Sequence, residues 1–190
     1  MKEEIKKFWE FLKGDSLASM FVVILLAFVI MVLIIFPLLE LVTGTSLPLV
    51  IVESCSMFHS EEGFEKVFNS PIYSQNGINL EDTENWGFKK GLTKGDIIFV
   101  VGAKNIEKGD VIIFQGGSSH PIIHRVVGDS EPYATKGDNY KTNQYQLSSE
   151  KSIASEQVIG KAVFKIPYLG WIKLIFFDFG SKNSGFCRIE

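Results

Sequence analysis

Val52 to Ser60 reads VESCSMFHS, which puts three hydroxyls (Ser54, Ser56, Ser60), one thiol (Cys55) and one imidazole (His59) in nine residues. A hydroxyl or thiol is a weak nucleophile by itself. It needs a base within hydrogen-bond reach and donors for the oxyanion that forms on the attacked carbonyl. The chain has three histidines. His59 follows Ser56 by three residues, and His120 lies at a loop end before Pro121. His124 sits inside PIIHRVVG, where on a strand Ile122, His124 and Val126 share one face. It is either a half-buried structural histidine or a base. His120 and His124 lack a third ligand at a suitable spacing, so no metal site is expected. Asp138, in TKGDNY, is either a turn residue or a carboxylate that orients an imidazole.

These residues must be positioned by strands. KGDIIFV (Lys94 to Val100) and KGDVIIF (Lys108 to Phe114) repeat at an offset of 14 residues, each a Gly-Asp turn launching a branched, aromatic run. LPLVIV (Leu47 to Val52) and PIIHRVVG read as further strands, and KAVFKIPYLGWIKLIFF (Lys161 to Phe177) as one or two more. The third KGD, at Lys136 to Asp138, is followed by polar residues instead. Residues 59–93 are polar with scattered aromatics and no sustained period, and read as a long insertion with little regular structure. Short strands with turn signals between them predict a mainly β domain.

Ser16 to Leu39 contains no charge over 24 residues. As a helix it spans about 36 Å, enough to cross the ~30 Å hydrocarbon core with some tilt. The apolar run is too long for a cleaved signal, and no A-x-A pattern follows it. It therefore reads as an uncleaved anchor. Lys2, Lys6, Lys7 and Lys13 precede it, and the next cation is Lys66. That asymmetry favours a cytoplasmic N-terminus and an extracytoplasmic remainder. Ile5, Phe8, Trp9 and Leu12 give residues 1–15 an amphipathic helical spacing. Cys55 and Cys187 suit an oxidising compartment, as a disulfide or as free thiols. If the strand before it continues, Cys55 points away from Ser54 and Ser56, toward packing or a disulfide partner. The net charge of −3, with no basic block, excludes a nucleic-acid partner.

Taken in order after one membrane span, SM, GD-I-I-F-V, HRVVG, KGDN and VIGKAVFKIPYLGW resemble the type I signal peptidases, most of all the branch of archaea and the endoplasmic reticulum. The resemblance runs from the anchor almost to the C-terminus, apart from the insertion. It implies Ser56 as nucleophile, His124 as general base, Asp138 as supporting acid and Met57 as a residue shaping the substrate groove. The backbone N–H of Ser56 and the hydroxyl of Ser54 are the candidate oxyanion donors. An unperturbed imidazole titrates at ~6.5 and serves as a base near neutrality, whereas a lysine base, as in the bacterial branch, needs a pKa lowered by about 3 units. Three departures stand out: Phe58-His59 follow SM, the insertion intervenes, and the second acid of the eukaryotic branch is missing after GDN. Asp138 orients the imidazole alone, or Glu150 or Asp129 assists.

The expected protein is thus mainly β, a signal-peptidase-like β catalytic domain preceded by one N-terminal transmembrane helix. Residues 1–15 form a cytoplasmic segment, 16–39 a signal anchor and 40–190 an extracytoplasmic catalytic domain with the insertion at about 59–93. No cofactor is expected. The implied partners are the signal peptides of secreted and membrane preproteins, cut after small residues at −1 and −3, the lipid bilayer and the secretion translocon. The alternatives are a processing peptidase dedicated to one substrate and a non-catalytic membrane-anchored β module that binds a partner. Tyr168 to Gly180 reads as a core strand with a tail or as an aromatic edge at the membrane interface.

Overall fold

The computed structural model describes residues 1–117, 119–177 and 185–187. The chain divides into two compact units, Met1–Val42 and Thr43–Glu190.

The first unit is helical. Helix α1 (Lys2–Leu12) is followed by α2 (Leu17–Ile30), whose N-cap Ser16 accepts a hydrogen bond from Ser19 N–H at 3.1 Å. The Ser19 hydroxyl donates back to the Leu12 carbonyl at the end of α1. The second helix continues through a π-helical turn (Met31–Ile35) into α3 (Phe36–Thr43). Pro37 explains the widened turn, because it has no N–H to donate and its ring crowds the carbonyl one turn back. Gly44, at φ +68°, ends the helix in the left-handed region that a side chain disfavours. Among the described residues Leu17–Thr43 is the one helix long and apolar enough to cross a membrane, and its most apolar stretch is bare of packing.

The second unit is built on a six-stranded antiparallel sheet in the order β1-β2-β6-β3-β4-β5. The strands are β1 (Leu49–Ile51), β2 (Ile97–Val101), β3 (Val111–Phe114), β4 (Ile122–Gly128), β5 (Ala134–Lys136) and β6 (Val158–Ile166). All four residues of β3 are buried, so both faces of the sheet are covered there. Val111 and Ile113 join Val52, Met57, Leu92, Ile98 and Ile123 in one core, while Ile112 and Phe114 join Val126 and Ile153 in another. The two Gly-Asp repeats fold alike. Asp96 and Asp110 each accept the backbone N–H three residues upstream, from Thr93 at 3.0 Å and Glu107 at 2.9 Å. Each is met by a lysine of β6, Lys165 at 3.2 Å and Lys161 at 3.0 Å. Their glycines leave room for indoles: a Cβ on Gly95 would stand 2.1 Å from Trp171, and one on Gly109 2.3 Å from Trp86.

The expectation of a mainly β domain is corrected to a mixed α/β architecture, chiefly by the insertion. It holds α4 (Glu61–Val67), α5 (Pro71–Gln75) and a 3₁₀ turn (Leu80–Thr83). Ser60 caps α4 by accepting from Gly63 N–H at 3.0 Å, and Pro71 opens α5. Such short helices complete too few turns to show an apolar period. They bury Val67, Tyr73 and Ile78 against Val127 of β4, with Phe68 and Trp86 packed alongside. In the C-terminal run the core-strand reading is corrected to a helix. After β6 the chain forms α6 (Trp171–Phe177), which buries Leu174 and exposes Ile172, Ile175 and Phe176; residues 178–180 lie outside the described residues. Cys55 and Cys187 form a disulfide. The apolar helix and the disulfide together indicate a membrane or extracytoplasmic location.

Candidate active site

A groove of about 600 Å³ opens between the end of β1 and the β3–β4 hairpin. Its walls are mostly apolar, with Leu49, Ile51, Ile113, Ile122 and Leu147 among them, and Ser54, Ser56, His124 and Asn143 also line it. Glu53, His120 and Lys173 stand on it as well, with Glu53 Oε2 2.9 Å from His120 Nδ1 and its other oxygen 3.8 Å from Lys173 Nζ.

Ser56 belongs to a turn that leaves the sheet after β1. The turn is pinned through its carbonyls. Cys55 O accepts from Phe58 N–H (3.0 Å) and Asn139 Nδ2 (2.8 Å), Ser56 O from Asn139 N–H (2.8 Å) and Met57 O from Leu92 N–H (2.9 Å). The approach of Ser56 O to Gly137 requires a glycine there, because a Cβ would stand 2.9 Å from it. The hydroxyls of Ser54 and Ser56 are 3.1 Å apart. Among the described residues, Ser54 and not His124 is the hydrogen-bond neighbour of the Ser56 hydroxyl. Such contacts often tighten only when substrate is bound.

His124 is buried on β4, opposite Ile112 of β3. Its Nδ1 makes a very short contact with Glu150 Oε1. A carboxylate only accepts, so the proton sits on Nδ1 and the lone pair of the neutral ring is on Nε2. Glu150 is wholly buried at the end of a 3₁₀ turn (Ser148–Glu150), and its other oxygen accepts from Leu147 N–H at 2.6 Å. The imidazole is therefore held in the tautomer that a base requires.

Asp138, expected to support that imidazole, is engaged elsewhere. Its carboxylate chelates Arg125, with Nε 3.0 Å from both oxygens and Nη2 2.6 Å from one. The reason is strand alternation. Neighbours His124 and Arg125 face opposite sides of β4, and Lys136, two residues before Asp138, is the register partner of Arg125. Arg125 also donates to the carbonyls of Gly87, Phe88 and Gly109 and lies over the Trp86 ring at 5.2 Å. It thereby fastens the insertion to the sheet. Met57, expected to shape the groove, is completely buried in the core and does not line the groove. Ser54 and Ser56, by contrast, both lie on it.

The surrounding charges are buried in balance, Arg125 and Lys136 against Asp138 and Glu150. Burial lowers the Lys136 pKa, opposed by Glu150 and Asp138. Its amine donates to the carbonyls of Asn143 and Gly137. His59 is also buried. Its Nδ1 donates to Ser60 O at 3.0 Å, which leaves the lone pair of Nε2 without a hydrogen-bond partner among the described residues and 3.7 Å from Asp138 Oδ2. Burial lowers its pKa, against the opposing pull of Asp138. Among the described residues no group of three or more His, Cys, Asp or Glu is placed to hold a metal ion. No known family model and no curated protein matches the chain.

Proposed function

We propose that the chain is a membrane-anchored serine endopeptidase that removes signal peptides from secreted and membrane preproteins, with a catalytic domain outside the cytoplasm and a fold of the signal-peptidase kind. One observation carries this reading: Ser56 and His124 line one apolar groove, and a buried carboxylate fixes the His124 tautomer. The order of the sequence motifs supports it independently, as does the apolar helix that precedes them.

In this mechanism Ser56 Oγ attacks the carbonyl carbon of the scissile bond while His124 Nε2 takes its proton. Glu150 stabilises the imidazolium that results. The Ser54 hydroxyl, beside Ser56 Oγ, and the Ser56 N–H donate to the oxyanion. The imidazolium then protonates the leaving amine, and the acyl-enzyme on Ser56 is hydrolysed by water that His124 deprotonates. The apolar walls suit an extended, uncharged peptide segment. A preference for small residues at −1 and −3 follows if those side chains meet shallow pockets.

The test is cleavage of a preprotein with an A-x-A site in detergent micelles, with the new N-terminus sequenced. Wild type cuts after the −1 residue, and Ser56→Ala and His124→Ala do not. A folded wild type that cuts no member of a preprotein panel, or a Ser56→Ala variant that still cuts, overturns the reading and favours a partner-binding module. Cleavage of a single panel member identifies a dedicated processing peptidase.

A further inference from the structure

The residue before Ser56 is covalently tied to the far end of the chain. Cys55 and Cys187 are 132 residues apart in sequence. Val52 is the last residue of the approach to Ser56 with a ladder-like pair of backbone bonds, Val52 N–H to Asp96 O and Gly95 N–H to Val52 O, both 2.9 Å. Glu53 and Ser54 are then exposed, and the next backbone restraints fall on the carbonyls of Cys55, Ser56 and Met57. Asn139 and Leu92 hold the turn on one side. The Cys55 side chain supplies a separate tether.

That tether has an anchored far end. Cys187 Sγ accepts from Lys94 N–H at 3.4 Å, and Phe186 packs on the Trp171 ring at 4.6 Å. Trp171 in turn donates from its indole to Lys94 O at 3.0 Å and covers Gly95. The disulfide thus joins the Ser56 turn to the Gly95 turn through a platform made by α6. Among the described residues Cys187 belongs to no strand and to no apolar core cluster. Opening the bridge would release one side of the Ser56 turn and leave the sheet pairing and the three cores in place. Both cysteines are partly exposed.

We propose that the Cys55–Cys187 disulfide is a positioning element for Ser56 and makes cleavage depend on its redox state, an inference that rests on the peptidase reading. The step is an ordinary two-electron exchange. One thiolate of a dithiol reductant attacks a bridge sulfur and releases the partner cysteine as thiolate. The second thiol of the reductant resolves the mixed disulfide, leaving two reduced cysteines and the oxidised reductant.

The experiment uses the full chain in micelles, with thiols counted before and after dithiothreitol. Reduction lowers kcat by about 10²-fold, the scale of a nucleophile displaced by an ångström, with KM changed by less than about twofold. Reoxidation restores the rate. Cys187→Ala behaves like the reduced protein and ignores dithiothreitol. Amide exchange speeds at Phe58, whose N–H is bonded to Cys55 O, on reduction and stays slow in β2, β3 and β6. An unchanged kcat in fully reduced protein overturns the proposal. So does a fall in activity that tracks loss of the near-UV circular dichroism, because the bridge would then be a global brace. If oxidised wild type cuts nothing, the peptidase reading fails by itself, and the exchange data still decide whether the bridge holds the turn.

Discussion

Glu150→Gln isolates what the buried carboxylate does for His124. Glu150 accepts from His124 with one oxygen and from Leu147 N–H with the other. Glutamine matches the shape and can keep the Leu147 bond with its carbonyl oxygen. It then presents an N–H to His124 Nδ1. Two donors cannot share one hydrogen bond, so the ring shifts its proton to Nε2 and the lone pair turns away from the groove. In serine peptidases the equivalent acid-to-amide change costs about 10⁴ in kcat, which is about 5 kcal/mol of transition-state stabilisation. The expected result is a loss of that order in preprotein cleavage, with KM little changed and a native circular dichroism spectrum. Nitrogen chemical shifts of the ring report the tautomer directly, whatever the activity. A variant that cleaves within about tenfold of wild type, with the proton still on Nδ1, would refute the assignment of Glu150.

Asp138→Ala should act on stability first, because it leaves Arg125 charged, buried and without its carboxylate; urea unfolding should show a loss of about 3–5 kcal/mol, and no stability change would mean that Arg125 is paired otherwise. His59 gives the folded protein a pH dependence. Its lowered pKa means that the unfolded chain takes up this proton first as pH falls below the ordinary imidazole value, so its contribution to stability is lost downward through that range. His59→Gln should flatten the stability profile between about pH 7 and 5, and an unchanged slope would count against the assignment. The Tyr73 hydroxyl is buried without a hydrogen-bond partner among the described residues, and burial raises its pKa far above the usual phenol range. Tyr73→Phe should leave stability unchanged or raise it by about 1 kcal/mol, whereas a loss of that size in urea would reveal a bond to the hydroxyl.

The features legible in the sequence were those written in local periods. The uncharged run of the anchor and the two Gly-Asp strand starts depend on neighbours in sequence, and each folds as its pattern implies. Ser56 and His124 were singled out by motif order, not by spacing, because strand alternation alone left His124 equally readable as a core residue. Glu150 was only one of two acids named as helpers. It reaches His124 across 26 residues through a 3₁₀ turn, and such a turn has no apolar signature. The KGDN motif points to Asp138 beside the imidazole, but strand register puts this acid on the Arg125 side of β4, away from His124. Met57 lies in the core and not on the groove because the chain turns at Ser56 and swings the next side chain inward. The insertion reads as irregular chain because its order comes from caps and from Arg125, a residue outside it.

The order of the strands governs when the groove can exist. Among the described residues β6 is the last strand along the chain, yet it lies in the middle of the sheet and joins β2 to β3. Before it arrives the sheet is in two halves, β1–β2 and β3–β4–β5, which meet through side contacts such as Asn139 on the Ser56 turn and the core that Met57 shares with Ile113 and Ile123. Nothing in the sheet links them. A chain truncated before Val158 keeps those contacts but lacks the strand that sets the register of the two halves, and should not hold Ser56 and His124 in a stable groove. Assembly of the groove thus waits on β6, a strand that follows both halves in the chain and closes the sheet between them.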